Sequence, residues 1–152
     1  RRELQEGGYL RPDTDRKRMK QAKLPPMRFE STDGYPIYVG WNNRQNDELT
    51  FRLARKDDIW CHASKVHGSH VIISCGGTTP PDNTVTQAAQ LAAYYAETGG
   101  GQNIPVDVTA VKQVKKIPNG KPGMVIYHTY RTVIANPYPD IVVDALNAET
   151  KE

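Results

Sequence analysis

The sequence predicts an α+β domain: a largely antiparallel sheet with one main helix packed on it and a short second helix. Three observations carry that expectation. Asp33-Gly34 stands between RFEST and YPIYVG, the strongest short hairpin signal a sequence offers. The stretch VTQAAQLAAYYAET is rich in alanine, with Val85, Ala88, Ala89, Leu91, Ala92 and Tyr95 spaced to share a helical face. Beyond it the chain turns to β-branched residues, PVDVTAVKQVKK and MVIYHTYRTVIANP, on either side of the turn IPNGKPG.

In chain order, RRELQE closes on Gly7-Gly8 as a helix closes on a glycine C-cap, so residues 1–8 read as the end of a preceding helix and the chain as a piece of a larger protein. Residues 9–26 are basic and finish on Pro25-Pro26, which cannot continue a helix, and read as a solvated linker. The domain proper spans 27–137. After the Asp33-Gly34 hairpin, WNNRQNDELTFRLARKDD offers Asp47 as the N-cap of a short helix whose Leu49, Phe51 and Leu53 face inward. DIWCHAS and SHVIISC alternate as two strands about a turn at Val66-His67-Gly68. Pro80-Pro81-Asp82-Asn83-Thr84 starts the main helix and Gly99-Gly100-Gly101 ends it. Residues 138–152, with four acids and one lysine, form an acidic tail.

At 152 residues the chain can bury a core without disulfides or metals. Cys61 and Cys75 are too few for a disulfide scaffold, RRELQEGGYL has no apolar signal segment, and no apolar run approaches the ~20 residues of a membrane helix. A soluble cytoplasmic protein with free thiols and no membrane partner is expected. The net charge of +3 does not announce a nucleic-acid binder, but its distribution is uneven. Residues 9–28 hold seven Lys and Arg against Asp13 and Asp15, and residues 111–121 hold Lys112, Lys115, Lys116 and Lys121 with no acid.

The stretch DDIWCHASKVHGSHVII, residues 57–73, with Cys75 beyond it, gathers possible zinc ligands in Cys61, His62, His67, His70 and Cys75. The spacing opposes a metal site: there is no CxxC, HxxxH or HExxH pair, and on a regular strand Cys61 and His62 point to opposite faces, as do His70 and Cys75. The same alternation separates Cys61-His62 and Ser69-His70 as catalytic pairs, and nothing fixes a nucleophile, a base and an orienting group together. Neither an enzyme nor a cofactor is expected. His62 and His70 suit a mixed role, orienting the turn and contacting RNA, and His128 reads as an ordinary strand residue.

An RNA-binding signature is more widely spread. Asn42, Asn43, Arg44, Gln45 and Asn46 form an amide-rich loop at a strand end, able to donate to phosphates and base edges. Lys112, Lys115 and Lys116, with Lys121 across the turn, form a basic ridge that would neutralise phosphates. If one strand runs through to Lys116, period two puts Lys112 and Lys116 on one face and Lys115 on the other. The residues alone thus describe a moderately basic α+β binding module.

YVGWNNRQNDELTFRLARKDDIWCHASKVHGSHVII resembles the signature block of the NFACT-R domain, the C-terminal RNA-binding domain of RqcH/FbpA-like NFACT proteins and their eukaryotic NEMF relatives. EGGYLR, the basic linker, the PP before RFESTDGYPIYVG, the AAQLAAYYA helix and VKKIPNGKPGMVIY follow in the family's order, so the resemblance covers residues 3–137. It implies a module of a ribosome-associated quality-control factor that binds the large ribosomal subunit with peptidyl-tRNA. It further implies tRNA recruitment for C-terminal alanine tailing of stalled chains, with rRNA and tRNA as partners. Residues 1–8 would then end a coiled coil, and the isolated domain is expected to be monomeric.

Carried onto this sequence, the family's motif positions are Asn42, Asn43, Gln45, Asn46 and Asp47, then Asp58, Trp60 and His62, then Gly68, Ser69 and His70, and finally Lys115, Lys116, Pro122 and Gly123. Cys61 and His67 depart from the pattern of many bacterial members, which have a large apolar residue and a proline there, and VKKIPNGKPG differs slightly in spacing. Members are also described as fibronectin- or fibrinogen-binding proteins, so a surface adhesin module is the competing reading.

Overall fold

The computed structural model describes residues 25–98 and 101–137. The expected helix end, most of the basic linker, Gly99-Gly100 and the acidic tail lie outside the described residues. The elements are β1 (Met27–Glu30), β2 (Pro36–Val39), α1 (Asn43–Glu48), a π-helical turn (Leu49–Leu53), β3 (Ile59–Ala63) and β4 (Val71–Ile73). They continue as α2 (Asp82–Tyr94), β5 (Ile104–Ala110), a 3-10 turn (Val111–Gln113), β6 (Lys115–Lys116), β7 (Val125–Ile126) and β8 (Arg131–Ala135). The α+β class is as expected.

Six strands form one antiparallel sheet in the order β1-β2-β4-β3-β5-β8, and β6 pairs with β7 in a separate hairpin. Asp33-Gly34 lies within the loop joining β1 to β2, where Glu30 faces Pro36, and Gly34 takes the positive φ of 87° that only glycine adopts freely. Helix α2 covers one face of the sheet. Its Ala88, Ala89, Leu91 and Ala92 are fully buried with Ile37, Val39, Cys61, Val71, Ile73 and Val106. A second core, built from Leu49, Trp60, Ile72, Val111 and Val114, lies on the other face. Cys61 therefore belongs to the helix-side core and Trp60 to the opposite one, the alternation a regular strand imposes. The central β4, VII, is buried on both faces, hence its continuous apolar run.

Four boundaries differ from expectation. Asn42, not Asp47, caps α1: its side-chain oxygen accepts the Gln45 N–H at 2.9 Å, and Asp47 lies inside the helix. After Glu48 the chain widens into the π turn, closed by Ala54 N–H to Leu49 C=O at 2.8 Å. The wider turn changes the side-chain phase, so Leu49 is buried, Phe51 half-buried and Leu53 55 % exposed. Helix α2 ends at Tyr94, several residues before the triple glycine, because the chain is captured by the β3–β4 turn: Glu97 N–H donates to His67 C=O at 2.8 Å, and Gly68 bridges Ala96. The strand that could have run through to Lys116 stops at Ala110: Lys112 lies in the 3-10 turn and Lys115 and Lys116 in the separate β6.

Helix α1 is fastened to the sheet by Asn46, which is buried. Its oxygen accepts the His70 N–H at 3.1 Å and its amide donates to Gly68 C=O at 3.4 Å. Gly40 donates its N–H to His70 C=O, and a Cβ there would run into the Asn46 side-chain oxygen. Gly40→Ala is expected to cost about 1–3 kcal/mol through overpacking, measured by urea denaturation; unchanged stability would show that α1 can shift freely.

Candidate nucleic-acid interface

The β6–β7 hairpin is docked through one residue of its turn, Gly123, at φ 86°. The Gly123 N–H donates to Asp47 Oδ1 at 2.9 Å, and its carbonyl lies 3.1 Å from His70 Nε2. A carbonyl only accepts, so Nε2 carries the proton. His70 Nδ1, 2.8 Å from Thr50 Oγ1, must then accept that hydroxyl's proton. The imidazole is thus satisfied on both sides in its neutral form, and burial, aided by neighbouring His62, pushes its pKa down to about 3. Asp47 has a second role: its Oδ2 lies 3.2 Å from the Lys116 ammonium.

Beside this dock runs a groove of about 380 Å³, lined by Phe51, Lys56, Val111, Lys112, Lys115 and Lys116 among others. Lys112 N–H donates to Lys56 C=O at 3.1 Å, which brings these two lysines, far apart in sequence, to one rim. The Lys116 ammonium sits 5.5 Å from the centre of the Phe51 ring, a cation–π contact that holds it over the apolar floor. An exposed pair joins Lys112 to Asp57 at 3.9 Å, exposed Lys116 pairs with half-buried Asp47, and among the described residues no carboxylate lines the groove itself. All four lysines are exposed. A larger cleft of about 700 Å³ carries Asp57 and Asp82 as well as Lys112 and Arg131, a mixed charge less suited to a polyanion.

The residues singled out from sequence divide by burial. Asn42, Asn43 and Arg44 are exposed on the first turn of α1 and its cap, and Lys121 is exposed in the hairpin. Gln45 is half-buried, its side-chain oxygen accepting the Trp41 N–H at 2.6 Å. Asn46, Asp58, Trp60 and His70 are buried and act by shaping what lies above them. Asp58 gathers two turns, accepting the N–H groups of Cys75, Gly76 and Arg55 at 3.1, 3.0 and 2.9 Å. Trp60 packs parallel to His62, with its indole N–H unpartnered, and Ser69 donates its hydroxyl to Gly40 C=O at 2.8 Å. His70, with both nitrogens engaged, orients the turn and the hairpin, whereas His62 is half-buried beside a second cleft. Lys56 escaped the sequence reading because ARKDD looks charge-balanced. No signal in the sequence marks it: only the fold shows that its neighbours Asp57 and Asp58 turn away, one to Lys112 and the other inward.

Among the described residues, no three His, Cys, Asp or Glu side chains converge to hold a metal ion. Burial pushes the Cys61 thiol up to about 12, and Cys75 is raised by the same cause and donates to Asp57 C=O at 3.5 Å. No helix among the described residues is long and apolar enough to cross a membrane.

The family model described as the NFACT protein RNA-binding domain matches residues 26–129, which include every residue discussed above as a candidate for RNA contact. The chain belongs to this NFACT-R family. The domain is 44 % identical over 146 residues to the Rqc2 homolog RqcH of Bacillus subtilis (strain 168), covering 94 % of this chain and 25 % of that protein. It is 42 % identical over 138 residues to RqcH of Streptococcus pneumoniae serotype 2 (strain D39), covering 90 % and 24 %. A solved structure, the C-terminal part of the fibronectin/fibrinogen-binding protein from Streptococcus suis, superposes with a TM-score of 0.76 at 35 % identity, covering 87 % of this chain and 58 % of that one. This NFACT-R chain spans about a quarter of the length of the curated relatives it matches.

The state of His70 has a measurable consequence. Above its ordinary pKa of 6.5 the imidazole is neutral in both folded and unfolded chains. Below that the unfolded chain takes up a proton that the folded one refuses until about pH 3, so stability falls with falling pH. Urea denaturation is expected to show a His70 contribution of about 2 kcal/mol lost by about pH 5. His62, also lowered chiefly by burial, acts in the same direction. The difference between the parent chain and His70→Gln, which retains an amide donor for Gly123, isolates the His70 share, and parallel pH profiles would contradict this assignment.

Proposed function

We propose that this domain is a non-catalytic RNA-binding module that holds the phosphate backbone in the groove of Lys56, Lys112, Lys115 and Lys116. Four exposed lysines along one groove with apolar residues in its lining carry this reading; no carboxylate lines it among the described residues, and Asp47 and Asp57 at its edge pair with Lys116 and Lys112. Each lysine that neutralises a phosphate releases counterions, so affinity becomes steeply salt-dependent. Asn42, Asn43 and Arg44 add donors at the cap of α1, and Lys121 adds charge on the hairpin. Family membership supports RNA as the polyanion. Identity to RqcH supports service within a cytoplasmic ribosome quality-control factor: binding the large subunit with its peptidyl-tRNA and supporting tRNA recruitment for alanine tailing. The Streptococcus suis relative is named for fibronectin and fibrinogen; a matrix-protein interface led by apolar contacts would be far less sensitive to salt.

Binding of tRNA, and co-sedimentation with large ribosomal subunits, are expected to weaken steeply between ~50 and ~200 mM salt. The variant Lys112→Ala/Lys115→Ala/Lys116→Ala should bind more weakly at every salt concentration with its melting curve retained. Its log–log salt slope should be shallower by roughly 0.7–0.9 for each phosphate that is no longer neutralised. Adding Lys56→Ala should flatten the slope further. An unaltered slope in these variants would refute the groove.

A further inference from the structure

We propose that the cleft between the β3–β4 turn and the tip of the β6–β7 hairpin receives one unstacked base of a single-stranded RNA. This rests on the RNA-binding reading above and adds a base subsite to its phosphate groove. The cleft measures about 360 Å³ and is lined by Asn43, His62, Lys65, His67, Met124 and Tyr127 among others, with no carboxylate in its lining among the described residues. That size falls within the ~300–1,000 Å³ typical of small-ligand sites.

Its inner wall is aromatic and braced. His62 lies parallel to Trp60, ring centres 5.6 Å apart and planes 9° apart, and Tyr127 meets Trp60 edge-on at 4.8 Å. The Tyr127 hydroxyl is committed, donating to buried Asp107 at 2.6 Å, so its ring is held in place by a bond that faces away from any ligand. Asp107 is steadied in turn by Thr132, whose hydroxyl donates at 3.1 Å. Burial lowers the His62 pKa, against the opposing pull of the Gly68 and Ala63 backbone carbonyls and of Asp107, so the ring is neutral, is oriented by the backbone and offers the cleft an uncharged aromatic surface. Lys65 lines the cleft from the β3–β4 turn, where its backbone takes the left-handed φ of 60°. Its ammonium offers a phosphate contact where a backbone would cross the cleft. Met124, 48 % exposed on the hairpin, supplies a soft, polarizable lip. Single-stranded RNA splays bases onto such walls, whereas bases within a duplex stay stacked.

The test uses the intact chain with a short oligouridylate carrying one central 2-aminopurine, and with its counterpart abasic throughout. At fixed salt the base-bearing RNA is expected to bind roughly tenfold more tightly than the abasic one, and the 2-aminopurine fluorescence to change at saturation. Met124→Glu, at an exposed position, and His62→Ala, checked by its melting curve, should erase both differences while leaving the salt slope intact. The triple lysine variant should weaken both oligomers alike. Salt-sensitive binding with equal affinities and no fluorescence change would overturn the base subsite and leave the phosphate groove standing. Failure of both oligomers to bind would overturn both readings.

Discussion

On the sheet face away from the main helix, the two ring nitrogens of His70 reach the two parts of the covering layer, Thr50 of the π turn and Gly123 of the hairpin. Few side chains can do this. The geometry demands a donor toward a carbonyl and an acceptor toward a hydroxyl, both presented from a buried central position, and only a neutral imidazole supplies them in one rigid ring. Asn46 and Asp47 complete the attachment, one fixing α1 to the β4 end and the other capturing the hairpin through the Gly123 N–H. Both the lysine groove and the aromatic cleft are bordered by this layer, so the buried polar bonds beneath it set the positions of the exposed groups above.

The charge arrangement follows from the same architecture. Lysines on a short hairpin would ordinarily be mobile. Here Lys116 is drawn toward Asp47 on one side and the Phe51 ring on another. Such contacts near the surface restrict where an ammonium group spends its time, whatever they add to stability. Asp47 and Asp57 stand beside the groove rather than in its lining, ordering Lys116 and Lys112 at the expense of part of their charge, which a phosphate must compete for.

Much of the architecture was legible in the residues. The Asp33-Gly34 turn, the alanine-rich helix and the β-branched stretches after it yielded the α+β class, and strand alternation alone separated Cys61 from His62. The cap of the short helix was misassigned because Asn42 and Asp47 are both good capping residues, and only the path out of β2 decides between them. Period two assigns Trp60 a face but does not say what covers it, so Asp58, Trp60 and His70 looked as available as the exposed lysines. Lys56 was hidden for the opposite reason. Its partners arrive from a turn more than fifty residues later, and a local charge count is blind to such convergence.

The π turn at Leu49–Leu53 works as a spacer as well as a cover. An i to i+5 turn takes up one more residue than an α-turn, so the chain beyond it is delivered rotated relative to a continued helix. Leu49 and Thr50 remain inward while Leu53 turns out, and the segment that follows carries Lys56 to the rim it shares with Lys112. What fixes that rim is therefore a count of residues more than their identities. Apart from buried Leu49 and Thr50, the latter bonded to His70, this stretch should accept exchange of side chains more readily than the gain or loss of a single position, and length here is the quantity under constraint.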